Sequence, residues 1–223
     1  MNRGKMILIP GVFLIVVWGA GAAAAQDADD AHKHHHEHGA AGQDDHDHPL
    51  PEKSSSYEIS KARYATPKLT LIDQYGEKVR IDQLLAEDRP TLVQFIFTSC
   101  TTICPVMGAV FGGAQEDIAA IAPNFRMVSI SIDPEYDTPE KLREFAAKQN
   151  ARPDWVFLTG AADDITAVTK SFDALNQGDN KMYHQPFTFI RWRKDDAWVR
   201  IRGLLSVADL VNEFSTARKV EAP

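Results

Sequence analysis

Apolar positions along the chain recur with two different periods, and from about residue 61 onward the two alternate. Thr91 to Phe97 is an apolar run of strand length, the mark of a central strand buried on both faces. Phe125 to Ile132 and Val156-Phe157-Leu158 read the same way. Leu69-Thr70-Leu71-Ile72, a turn at Gln74-Tyr75-Gly76, and Val79-Arg80-Ile81 predict an N-terminal hairpin. Helical spacing takes over from Pro105, where Met107, Val110, Phe111, Ala114, Ile118 and Ile121 share one face. Gly108, Gly112 and Gly113 weaken that helix; they mark either a close approach or a loose first turn. Asp137-Thr138-Pro139-Glu140 supplies a capping hydroxyl and a first-position proline for a second helix, with Leu142, Phe145 and Ala146 facing inward. Ile165, Val168, Phe172 and Leu175 line a third. Phe187 to Trp192 and Trp198 to Ile201 form a hairpin around Lys194-Asp195-Asp196. A last helix starts at Ser206, with Asp209 completing a capping box. This order predicts an α/β fold, a thioredoxin-like layer sandwich with an N-terminal β-hairpin extension and helices on both sheet faces.

The first 60 residues follow neither period. Residues 1–25 read as a signal peptide or an N-terminal membrane anchor. Arg3 and Lys5 precede an apolar run, Ala23-Ala24-Ala25 offers a small-residue cleavage site, and residues 6–25 carry no charge over about a membrane span. No lipid-accepting cysteine follows. Either outcome puts the protein outside the cytoplasm, in a periplasm or cell envelope, with a membrane tether if the segment is retained. Residues 26–60 hold nine acids against Lys33 and Lys53 and almost no aliphatic side chains. Such a stretch buries too little surface to offset the entropy of ordering, so a disordered acidic linker is expected, with the folded domain at 61–220.

Composition then sharpens the chemistry. The 223-residue chain carries a net charge of −7, which argues against nucleic acid as a partner. Of its eight histidines, seven fall between His32 and His48, where imidazoles can weakly gather Cu(II), Zn(II) or Ni(II). The eighth, His184, stands alone. Two cysteines, too few for a disulfide framework, sit four positions apart at Cys100 and Cys104.

Those two cysteines lie in Phe97-Thr98-Ser99-Cys100-Thr101-Thr102-Ile103-Cys104-Pro105, where a central strand gives way to a helix. Open α/β sheets place ligands at such junctions. Proline after Cys104 puts that residue at or near the helix N-cap, where the helix dipole lowers a thiol's pKa. Paired thiolates make a soft site that selects Cu(I), and they also make a redox pair. His184 precedes Gln185-Pro186, a candidate cis peptide, and the strand from Phe187. In a thioredoxin-like sheet that segment faces the cysteine turn, and two thiolates with one imidazole are a sensible copper set. Met107 and Met182 are expected to pack. Asp133, ending the second buried strand, either orients a ligand or forms a turn.

Cys-x-x-x-Cys-Pro after an apolar strand, then Ser-Ile-Asp-Pro-Glu-Tyr-Asp-Thr-Pro-Glu, then a lone histidine before a late strand, resembles the Sco/SenC family over roughly residues 65–217. Thr101 and Tyr183 stand where the family often has proline and aspartate. The resemblance implies a copper metallochaperone whose metal ligands are Cys100, Cys104 and His184. It further implies delivery to the copper A site of cytochrome c oxidase subunit II, or to another copper enzyme such as nitrous oxide reductase, after loading by a copper donor chaperone. A second function fits the same cysteines: a thiol–disulfide oxidoreductase that reduces its client's copper-site cysteines, with Cys100 attacking and Cys104 resolving.

Overall fold

The computed structural model describes residues 57–175 and 185–219. The segment at 1–25, the histidine tract, Met182, Tyr183 and His184 lie outside the described residues.

Eight strands form one mixed sheet in the order β1-β8-β7-β4-β5-β6-β2-β3. At its centre lie β4 (Thr91–Ile96), β5 (Arg126–Ser131) and β6 (Trp155–Thr159), mutually parallel, with β7 (Phe187–Arg191) antiparallel beside β4. Every residue of β4 and β7 is buried, which is why their sequences do not alternate. β8 (Trp198–Arg202) pairs with β7, and β1 (Glu58–Ala62) closes that edge. The predicted hairpin is present as β2 (Thr70–Asp73) and β3 (Lys78–Arg80), with β2 antiparallel to β6 at the other edge.

Among the described residues, five helices cover both faces. Helices α2 (Ile103–Ile121), α3 (Pro139–Lys148) and α5 (Val207–Ala217) pack into one core layer with Leu92, Ile96, Phe157 and Ile190. On the opposite face α1 (Ile81–Ala86) and α4 (Ala162–Ser171) enclose Val93, Phe95, Val128 and Phe189. The expected α/β layer sandwich of thioredoxin type is the fold observed.

The predicted caps are also there. Thr138 accepts a hydrogen bond from the Lys141 N–H with Pro139 at the first position, and Ser206 and Asp209 form a full capping box. The glycines of α2 serve close approach. A β-carbon on Gly112 would stand 2.8 Å from the Gln149 carbonyl oxygen, and one on Gly108 2.9 Å from the Phe145 ring.

Several expectations need correction. β1 begins at Glu58, inside the stretch assigned to the linker. Four of its five side chains are exposed, so it carries no apolar signature, and its backbone pairing with β8 holds it. Ile81 opens the short helix α1 instead of ending a strand. Helix α4 stops at Ser171, and Leu175 beyond it is exposed. No cis peptide occurs among the described residues, so Gln185-Pro186 is trans.

Candidate metal and thiol site

Parallel pairing of β4 with β5 brings their carboxyl ends side by side, and the Ile132 N–H continues the ladder to the Ile96 carbonyl. Buried Phe97 anchors a tight turn at Thr98-Ser99, closed by the Cys100 N–H on the Phe97 carbonyl at 3.2 Å. The chain then enters α2 with Thr102 at the N-cap, two residues earlier than Pro105 suggested. Thr102 makes no side-chain cap. Its hydroxyl instead lies 3.5 Å from the Cys100 sulfur, and the Cys104 N–H points at the same sulfur, also at 3.5 Å. The Cys100 Sγ therefore takes the place a capping oxygen usually holds.

This exchange reverses the thiol that the sequence favoured. Cys104 sits in the first turn, but its own side chain points into the core and is wholly buried. Burial pushes its thiol up to about 12; a contact with Phe97 opposes this, and nearby Cys100 and Asp137 reinforce it. Cys100 is 6% exposed. Burial raises its thiol too, but the donors from Cys104 and Thr102 outweigh that and leave it below the ordinary thiol value. The helix N-terminus thus favours a thiolate at Cys100, and both cysteines are free thiols.

Two carboxylates stand behind the turn. Asp133, nearly buried, receives the Ser99 hydroxyl at 3.4 Å, next to Cys100, and its own N–H donates to the Ser131 hydroxyl. Asp137 is wholly buried, and both its oxygens accept from the Thr98 N–H at 3.1 Å. The Thr98 hydroxyl and the Ser131 hydroxyl donate to it as well. Sequence reasoning placed Asp137 only as the residue before a helix cap. The serine and threonine donors at the two strand ends were the available signal.

Cys100 and Cys104 thus come together, with Asp133 bonded to the neighbouring Ser99. Met107 packs in the core, as anticipated. Among the described residues no group of three metal-ligating side chains converges. The chain following His184 leads through Gln185-Pro186 into β7, whose Thr188 pairs with Gln94 near the carboxyl end of β4.

A thioredoxin-like sheet with a dithiol turn at the end of its central strand defines the class. The profile of the SCO1/SenC family matches residues 58–209, and the chain belongs to that family. The SCO1 protein homolog of Bacillus subtilis is 36% identical over 128 residues, 55% of this chain and 65% of that protein, so the match spans just under two thirds of its length. The structure of BsSco, described as a member of the Sco family of cytochrome c oxidase assembly proteins with a disulfide switch, is 27% identical. It superposes with a TM-score of 0.57 over 73% of this chain and 98% of that one. Arabidopsis thaliana ScoI with copper bound shares the fold at 22% identity and a TM-score of 0.57, over 69% of this chain and 98% of its own.

Proposed function

We propose that the protein is a copper metallochaperone that holds one copper ion on Cys100, Cys104 and His184. The observation that carries this reading is the convergence of two buried cysteines at one turn, with the Cys104 N–H 3.5 Å from the Cys100 sulfur. Two adjacent soft sulfurs suit Cu(I), and one imidazole extends the set to Cu(II). Binding releases the thiol protons, so affinity rises with pH, and the raised Cys104 thiol supplies the more tightly held of the two protons. Transfer proceeds by ligand exchange with a client's thiolates. The neighbour described as a member of a family of cytochrome c oxidase assembly proteins favours that enzyme as client, and the resemblance to the Sco/SenC family points to its subunit II or a related copper enzyme. A separate copper donor loads the site. Residues 1–25 export the chain to the periplasm or cell envelope, and if uncleaved they tether it to the membrane.

The asymmetry of the thiols favours a second reading. A Cys100 thiolate attacks one sulfur of a client disulfide, forming a mixed disulfide and releasing one client thiolate. Cys104 then loses its proton and attacks the Cys100 sulfur, freeing the second client thiol and leaving a Cys100–Cys104 disulfide. Two electrons pass to the client, readying its cysteines for copper. The two readings separate when an oxidised subunit II fragment is offered to the apo protein and a reduced fragment to the copper-loaded protein. Copper delivery requires His184 and both cysteines, whereas electron delivery requires the cysteines alone. Failure of either transfer in wild type removes that reading.

A further inference from the structure

No carboxylate other than Asp137 is fully buried among the described residues. A carboxyl group withdrawn from water needs hydrogen-bond partners for its oxygens. Asp137 meets this with neutral donors drawn from two segments: the Thr98 N–H and hydroxyl from the turn, and the Ser131 hydroxyl from the end of β5. Its own backbone is fixed, because its N–H donates to the Asp133 carbonyl at 2.8 Å and the next residue caps α3. Asp133 receives Ser99 from the same short loop. The two residues immediately before Cys100 are thus held by carboxylates on one rigid loop. Cys104 is held separately, by the packing of α2 in the core. The separation of the thiols therefore depends on where Asp137 keeps Thr98.

We propose that Asp137 is a positioning residue for the thiol pair, presetting Cys100 against the first turn of α2 and so setting how readily Cys100 and Cys104 close to a disulfide. The inference rests on the reading of these cysteines as the working pair. Closure gives up two electrons and two protons. With oxidised glutathione as acceptor the products are one intramolecular disulfide and two reduced glutathiones. Asp137 neither reacts nor touches the oxidant; it restricts the conformations from which the sulfurs must meet, and loosening the turn lowers their effective concentration.

The test uses the metal-free full chain equilibrated in glutathione redox buffers, with free thiols counted after acid quench. Asp137→Ala should weaken the disulfide equilibrium about tenfold, equivalent to a potential about 30 mV less reducing for a two-electron couple. Asp137→Asn keeps one oxygen to accept from the Thr98 N–H and from one hydroxyl, and the other hydroxyl can rotate to accept from its amide. It should stay within about threefold of wild type, a rescue that a requirement for charge would not allow. An unchanged constant in folded Asp137→Ala overturns the proposal, as does an equal fall in the alanine and asparagine variants. Should Asp137→Ala not fold, Thr98→Val removes one donor alone and should weaken closure about threefold, with no change again overturning it. Copper titration of wild type runs in parallel. Absence of copper binding there would sink the metallochaperone reading while leaving this equilibrium intact.

Discussion

At the residue scale, two cysteines of identical chemistry are made unlike by one turn of backbone. Cys100 borrows amide and hydroxyl donors, while Cys104 surrenders its amide to its neighbour and buries its own sulfur. A lowered thiol keeps its thiolate to lower pH, so alkylation of metal-free reduced protein should level off at a lower pH at Cys100 than at an unperturbed cysteine. Cys104 should stay largely unmodified below its value of about 12 while the fold persists. Mass-resolved iodoacetamide rates across pH 5–10 check both points, and faster modification of Cys104 would contradict them. His184→Ala should weaken Cu(II) binding by more than about 100-fold, beyond the roughly 10–100-fold cost of losing a supporting partner alone, and leave thiol alkylation unchanged. Competition with a chelator of known affinity reads the first quantity.

At the scale of elements, helix α2 shows why its glycines matter. Alanine at Gly112 would gain about 1 kcal/mol of helix propensity. It would also drive a methyl group into the Gln149 carbonyl at 2.8 Å, backbone that cannot swing aside. Overpacking costs about 1–3 kcal/mol, so Gly112→Ala should lower the melting temperature by a few degrees, whereas propensity alone would raise it. Calorimetry of the metal-free chain decides between them. The elements legible beforehand are those whose residues carry a local signature: the largely apolar runs of β4, β5 and β7, the inward face of α3, and the caps at Thr138 and Ser206. Those that escaped are held from outside themselves. β1 exposes four of five side chains and is fixed by β8, and α1 is six residues long with no side-chain cap. The same division runs through the site. The cysteine pair announces itself by spacing, but which thiol is lowered depends on where each sulfur points. Asp137 reads only as the residue before a helix cap until Thr98, 39 residues away, and Ser131 are seen to meet on it.

At the scale of the whole molecule, the chain carries two kinds of metal-binding chemistry: imidazoles crowded between His32 and His48, and the thiol pair with His184. They should separate by affinity and by metal preference. Soft Cu(I) favours the thiols, while Cu(II), Zn(II) and Ni(II) suit the imidazoles. Replacing all seven tract histidines by asparagine should remove weak Cu(II) and Ni(II) binding and leave one tight copper per chain. Loss of the tight ion in that variant, seen by equilibrium dialysis, would assign the principal site to the tract. Binding at the thiols should weaken as pH falls, because protons compete for both sulfurs.

The central claim is that the copper ion rests on the thiols of the folded domain. Its most direct measurement is copper stoichiometry under reducing conditions in the full chain lacking the seven tract histidines, with and without Cys100→Ser/Cys104→Ser. One tightly bound copper ion is expected with both cysteines present and none without them. Undiminished tight binding in the double serine variant would contradict the claim.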